Sequence, residues 1–286
     1  MPSVALLSDI HGKLPALKAV LAELASRRPD AVYVLGDMTN GCPWTAEVMD
    51  LLIDAGWSML LGNHDDAVLQ LDTPRMEPRY ANRERYETLW WTREHLSGRH
   101  LTCLQELPLE LNPHLAGAPP PRLFHGVPGN FFIGFRPDGT EEWAAGHLAN
   151  VAEETVADGH THFPMVRRLG RWQVVNDGSV GACYDGDTRA SYAWLEGNEA
   201  GWQAEIRRVA YDLAEVDRGF VESGLLAAGG VTAELFRRSV LTALPWTSDF
   251  LWWMREQPAE MLADLWDALR IYDARHGPGH WAFPYA

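Results

Sequence analysis

An α/β protein with parallel strands in its first half is predicted by short apolar runs, by helical-period segments between them, and by polar clusters at the run ends. Val4 to Leu7 is the first run, and its end in polar residues suits a strand buried on both faces. Residues 14 to 26 follow, with Leu14, Leu17, Leu21 and Leu24 at helical spacing. Ala31 to Leu35 reads as a second buried strand, Trp44 to Ala55 as a second helix and Trp57 to Leu61 as a third strand. This β-α-β-α-β order implies parallel strands with covered faces. In such sheets ligands gather beyond the carboxyl ends of the strands. There the sequence carries Ser8-Asp9-Ile10-His11, Gly36-Asp37 and Gly62-Asn63-His64-Asp65.

Residues 66 to 106 are helical in composition and begin right after the third polar cluster. They read either as a wall or lid over a pocket or as a packing insertion. The proline-rich run Pro113 to Pro121 is a connector. Closely spaced strand candidates follow at 122–125, 155–157, 166–169, 172–175, 190–195 and 202–209, suggesting hairpins and a second sheet. From Asp212 the pattern turns helical, with stripes over 212–224, 231–242 and 258–272, the last carrying Met261, Leu262, Leu265, Trp266, Leu269 and Ile271. The expected division is therefore 1–211, with 66–106 inserted near the site, and a helical extension 212–286. Without an acid/base cluster, that tail is expected to serve packing or homo-oligomer contacts and to have no link to the site.

A 47% apolar share fits a soluble chain of 286 residues with a substantial core. The formal charge of −15 disfavours nucleic acid, whose binding rests on a basic surface. It leaves phosphate-bearing small molecules open, because bound cations supply positive charge locally. Cys42, Cys103 and Cys183 form no CxxC pair, which argues against a disulfide framework or zinc knuckle. The start lacks the pattern of a signal peptide, and no apolar run is long enough for a bilayer. A cytoplasmic location without membrane partners is expected.

Each site residue alone has an ordinary explanation, since a buried His is commonly a core residue and Asp9 or Asp37 could cap a helix. The set is more telling. DxH, GD, GNHD, HG and GHTH occur in order, each at the end of a strand candidate. Two divalent cations about 3.5–4 Å apart can clamp the attacking and leaving oxygens of a phosphoryl group. A mixed set of carboxylates, imidazoles and an amide suits manganese, iron, zinc or nickel rather than calcium.

These blocks resemble the calcineurin-like metallophosphoesterase superfamily, carried here as Asp9-x-His11, Gly36-Asp37, Gly62-Asn63-His64-Asp65, His125-Gly126 and Gly159-His160-Thr161-His162. The resemblance runs from Ser3 to about Asp212. The stretch NDGSVGACYDGDTRASYAWLE is similar to the YfcE-like bacterial and archaeal branch, with Asp177 and Thr188 where that branch usually has proline. It implies a four-layer α-β-β-α sandwich of two mixed sheets with flanking helices. It also implies two divalent transition-metal ions, manganese first, with Asp9, His11 and His162 on one, Asn63, His125 and His160 on the other, and Asp37 bridging. His64 would protonate the leaving oxygen or stabilise the transition state, with Asp65 orienting its ring.

The expected function is hydrolysis of a small phosphodiester or phosphomonoester, such as a nucleotide, by metal-activated water. A protein phosphatase or dinucleoside tetraphosphatase is the alternative, ranked lower because the blocks here read GDMTNG and GNHDD. A non-catalytic metal-stabilised scaffold ranks last, since no ligand position is missing. Asn176, Gly178 and Ser179 form a polar turn that could touch substrate or be structural. Arg136 and Arg189 are candidate phosphate binders. His95, His100, His114, His147, His276 and His280 match no block and read as surface or packing residues.

Overall fold

A computed structural model of the chain describes residues 1–258 and 263–276. Strands β1 (Ser3–Leu7), β2 (Ala31–Val34) and β3 (Ser58–Met59) alternate with helices α1 (Leu14–Arg27) and α2 (Thr45–Ala55), as the apolar pattern predicts. Pro15 opens α1, and Arg28 closes it in the left-handed conformation, its N–H bonded to the Leu24 carbonyl. Helices α3 (Asn63–Gln70), α4 (Arg83–His95) and α5 (Gly98–Gln105) fill the 66–106 segment, with a 3-10 turn at Pro78–Ala81.

The second half holds β4 (Glu110–Leu111), β5 (Arg122–Phe124), α6 (Glu141–Leu148), β6 (Thr155–Asp158), β7 (Met165–Leu169), β8 (Trp172–Asn176), β9 (Ala190–Asn198) and β10 (Gly201–Val209). Two mixed sheets result, ordered β10-β9-β1-β2-β3 and β4-β5-β6-β8-β7. In the first, β1, β2 and β3 are parallel and β9 runs antiparallel to β1 and β10. In the second, β5, β6 and β8 are parallel, with β4 and β7 antiparallel at the edges.

Strand side chains alternate between faces, and here both faces are buried. Val4 and Leu6 of β1 meet Ala157 and Val175 of the other sheet, with Ala193 and Leu195 beside them. Ala5 and Leu7 point the other way, onto Leu17, Val20 and Val48 of α1 and α2. On the far side, Val156 and Val174 pack on Ala144 and Leu148 of α6. The layers are therefore α-β-β-α. Because β1 is covered on both faces, its polar end has one exit, the loop beyond its carboxyl end.

The tail forms α7 (Leu213–Glu222), α8 (Leu225–Thr242), α9 (Trp246–Met254) and α10 (Leu265–His276). Helix α8 is longer than its stripe because it runs through a kink at Gly230, which has φ 52° and ψ −134°. Met261, Leu262 and His280 lie outside the described residues. The sequence reading missed α9, where the apolar residues run consecutively from Phe250 to Met254 instead of recurring at helical spacing. Among the described residues no helix is long and apolar enough to cross a membrane.

Candidate metal centre

The loops beyond β1, β2, β3, β5 and β6 converge on one point and bring together all eight residues from Asp9 to His162 that the motifs single out. They are stitched by backbone hydrogen bonds: Asp9 N to Gly36 O and His11 N to Asp37 O at 3.0 Å, Gly159 N to His125 O at 2.9 Å. Five of these residues have left-handed φ angles: Asp9 at 51°, His11 at 51°, Asp37 at 53°, His160 at 60° and His162 at 61°. Such a conformation costs a non-glycine residue about 1–3 kcal/mol. It curls each loop so that successive side chains turn inward. Close approach needs glycine as well. A Cβ on Gly62 would lie 2.1 Å from Asp37 Oδ1, and one on Gly159 would lie 2.6 Å from Asp9 Oδ2.

The histidine rings are held from behind. His11 Nδ1 faces the Asn40 carbonyl at 2.7 Å, His125 Nδ1 the Leu35 carbonyl at 2.8 Å, and His162 Nδ1 the Ala182 carbonyl at 2.5 Å. A carbonyl only accepts, so each Nδ1 carries the proton and each Nε2 faces the centre. There His11 Nε2 and His162 Nε2 lie 3.2 Å apart, and His162 Nε2 lies 3.3 Å from Asp9 Oδ1. That carboxylate oxygen is buried and has no hydrogen-bond partner. Asp37 Oδ2 lies 4.0 Å from His11 Nε2 and 3.4 Å from His125 Nε2. Asn63 Oδ1 lies 3.1 Å from His125 Nε2 and 2.9 Å from His160 Nδ1. Facing nitrogen lone pairs and an unpartnered buried oxygen repel one another without a cation between them, so the donor set fits a metal.

The electrostatics agree. Burial, with neighbouring imidazoles adding to it, lowers His11, takes His160 down to about 4 and takes His64 down to about 3. These rings are neutral near pH 7. For His125 burial acts downward too, but Asp37 and Asp9 outweigh it and push the ring up to about 10. A proton there occupies the place of a cation. Burial raises Asp9 and Asp37, yet the histidines around them win, holding Asp9 at about 2 and Asp37 well below the usual carboxylate range.

His64 is half-buried, its ring edge-on to His11 at 4.9 Å. Its Nδ1 receives the Asn40 side-chain amide at 2.7 Å, leaving Nε2 to carry the proton. Asp65, expected to orient this ring, is turned away. Its carboxylate accepts from Thr39 N, Thr39 Oγ1 and Gly62 N at 3.0, 2.8 and 3.2 Å, because the third position of α3 points it back at the helix start. The orienting residue is Asn40, within the GDMTNG block. A left-handed φ of 61° is its structural mark, but the sequence offers only a polar residue three positions after Asp37.

The polar turn after β8 is structural: Ser179 Oγ donates to Asp9 O, and Asn176 Nδ2 donates to Gly159 O. Arg136 is paired with Asp138 and stands over the Phe163 ring at 4.8 Å, while exposed Arg189 is tied to Asp187 in its own turn. Away from the centre, His95 stacks on Trp91, His100 bonds Asp50, His147 packs on Trp143 and His276 stacks on Tyr272. His114 is bonded to Asn112 O. All three cysteines are free.

The expectation that the tail stands apart from the site is corrected. Phe236 of α8 lies with its ring 6.5 Å from that of His11 and 6.3 Å from that of His64. Tyr184 stacks on His162 at 4.4 Å, and Gly186 N bonds the Ala243 carbonyl after α8. Trp91 of α4 joins Cys42, Ala182 and Phe236 in one apolar cluster, so the 66–106 segment reaches the site through the tail.

Three comparisons bear on this geometry. The chain is 26% identical over 242 residues to the uncharacterised protein MJ0912 of Methanocaldococcus jannaschii, covering 78% of this chain and 93% of that one. It is similar to the crystal structure of a metallophosphoesterase from Sphaerobacter thermophilus, at 27% identity and a TM-score of 0.65 over 80% of this chain and 99% of that one. The hypothetical protein PH1004 from Pyrococcus horikoshii shares the fold at a TM-score of 0.71 and 20% identity, over 82% and 98% of the two chains. The model of the calcineurin-like phosphoesterase domain matches residues 2–200, and the chain belongs to that family.

Proposed function

We propose that the chain is a dinuclear metal-dependent hydrolase of small phosphodiesters or phosphomonoesters. The observation that carries the reading is the facing of His162 Nε2 with His11 Nε2 at 3.2 Å and with the unpartnered Asp9 Oδ1 at 3.3 Å, His11 Nε2 and Asp9 Oδ1 being 3.9 Å apart, with Asp37 Oδ2 between this group and His125. Asp9, His11 and His162 would hold one cation, Asn63, His125 and His160 the other, and Asp37 both. Manganese, iron, zinc and nickel all suit such donors. When bound, a pair of cations supplies the concentrated positive charge that phosphoryl displacement needs.

The chain's own groups do the rest. Asp37 Oδ1 accepts the His64 amide N–H at 2.8 Å, which leaves Oδ2 free to bridge. Neutral His64, held by Asn40 at Nδ1, keeps its proton on Nε2 and can hand it to a leaving oxygen. Asn63, His64 and His160 are half-buried, so substrate enters on their side. Tyr184 and Phe236 narrow the approach, which favours small esters.

The test is metal content measured together with turnover on paired nitrophenyl monoester and diester substrates, for the unaltered chain and Asp37→Asn. A neutral amide cannot balance charge shared between two dications. The variant should lose both metals and orders of magnitude in turnover while its circular dichroism is retained. Near-normal turnover with two bound metals would refute the bridging role.

A further inference from the structure

Ser8, Asp9 and Asp177 are all fully buried and form a short chain of oxygens behind the metal centre. Ser8 Oγ lies 2.6 Å from Asp9 Oδ2 and 2.7 Å from Asp177 Oδ1. A hydroxyl carries one proton to donate. Two carboxylates cannot both accept it, so one of the pair must bring a proton of its own.

The surroundings choose which. Asp9 Oδ2 also accepts the His160 amide N–H at 2.9 Å, and Asp9 Oδ1 faces the Nε2 atoms of His11 and His162. These contacts favour the Asp9 anion and outweigh the opposing effects of burial and of Asp37. Asp177 Oδ2 is buried without any hydrogen-bond partner, a position costly for a charged oxygen and tolerable for the carbonyl of an acid. Burial first, and then the Asp9 charge, raise Asp177 well above the usual carboxylate range.

We infer that Asp177 is a positioning residue, a neutral carboxylic acid that donates through Ser8 to Asp9 and so presents Asp9 Oδ1 alone to the metal. The proton on Asp177 Oδ1 goes to Ser8 Oγ, and the Ser8 proton goes to Asp9 Oδ2. With the His160 amide this gives Asp9 Oδ2 two donors and turns its other oxygen inward. The chain crosses the sandwich, since Ser8 follows β1 of one sheet and Asp177 follows β8 of the other. Groups behind a ligand commonly set metal affinity by 10- to 100-fold. The inference rests on Asp9 being a metal ligand, as proposed above.

The experiment titrates manganese into the full, metal-stripped chain by calorimetry, without substrate, for the unaltered protein, Asp177→Asn, Asp177→Ala and Ser8→Ala. Asparagine supplies a neutral N–H donor in the same place, so D177N should bind within about 3-fold of the unaltered chain, with the same pH profile. D177A and S8A should each bind about 10- to 100-fold more weakly, at retained circular dichroism. If D177A fails to fold, S8A alone carries the comparison. A loss of 10-fold or more in D177N would mean that the negative charge matters, overturning the neutral donor. Unchanged binding in D177A or S8A would overturn the positioning role. An unaltered chain that binds no manganese here, and no zinc or nickel when these are titrated in the same way, would instead overturn the metal reading, and this inference with it.

Discussion

Residues 66–106 leave directly from the Asn63-His64 loop, whereas the tail from Leu213 begins only after the last strand, far along the chain from any motif. Proximity in sequence favours the first as the wall of the site. The three-dimensional arrangement favours the second. Helix α3 runs from Asn63 to Gln70, so it carries the chain about 9 Å beyond His64 before the segment turns. Helix α4 then lies against α8, and α8 sets Phe236 beside His11 and His64. On this arrangement we propose the insertion as a buttress and the tail as a wall. A segment that abuts a motif in sequence is carried away by its own rise, and a distant one returns when its apolar face must be buried.

Trp91 and Phe236 share one cluster, which makes them the pair that can break this comparison. Trp91→Ala should cost about 3–5 kcal/mol of unfolding free energy, the usual range for a buried aromatic. Its effect on kcat/KM, measured below the lowered Tm, should be equal for a nitrophenyl monoester and a bulkier diester. A changed ratio would make the insertion a second wall.

Phe236→Leu is the smaller and more specific change. It keeps most of the apolar contact but opens space over His64, where a leaving group would sit. The ratio of kcat/KM for the bulkier diester over the monoester should rise about 10-fold, equivalent to about 1.4 kcal/mol. An unchanged ratio at unchanged metal content would reduce Phe236 to core packing and remove the tail from the site.

What the sequence disclosed follows the same division. Strands β1 to β3 were legible because each lies in a short, largely apolar run with a helix after it, and their ends named Asp9, His11, Asp37, Asn63 and His64. His125, His160 and His162 were legible through their small motifs, although β5 is three residues long and carries no pattern of its own. Three kinds of information were not legible. The side chain of Asp65 points back at its own helix start, which depends on the turn of α3. Asn40, Ser8 and Asp177 act through hydrogen bonds whose partners lie 24 and 169 residues apart. Phe236 looked like any apolar residue on a stripe, because only packing decides which neighbours a stripe finds.

The last prediction asks whether the wall is held in place by the tail's own packing. Asp249 lies in the first turn of α9, buried beside the cluster of Trp246, Phe250, Met254 and Leu265, and its Oδ2 has no partner. Burial raises its carboxyl from 3.8 to about 7. The sign follows from linkage. The folded chain keeps a proton on Asp249 that the unfolded chain releases, so its contribution is fully present below about pH 3.8 and is lost as pH rises through about 7. Above pH 7 the folded state carries a buried charge, partly relieved by solvent and by the start of α9. Asp249→Asn removes that charge and leaves a neutral group of the same shape. In the metal-free chain it should stabilise by about 1–2 kcal/mol at pH 8, after allowance for screening, and by close to nothing at pH 4. Paired thermal unfolding of both proteins at the two pH values measures the difference directly. An equal shift at pH 4 and pH 8 would show that Asp249 acts through packing alone, and that the tail's hold on the site carries no charge penalty.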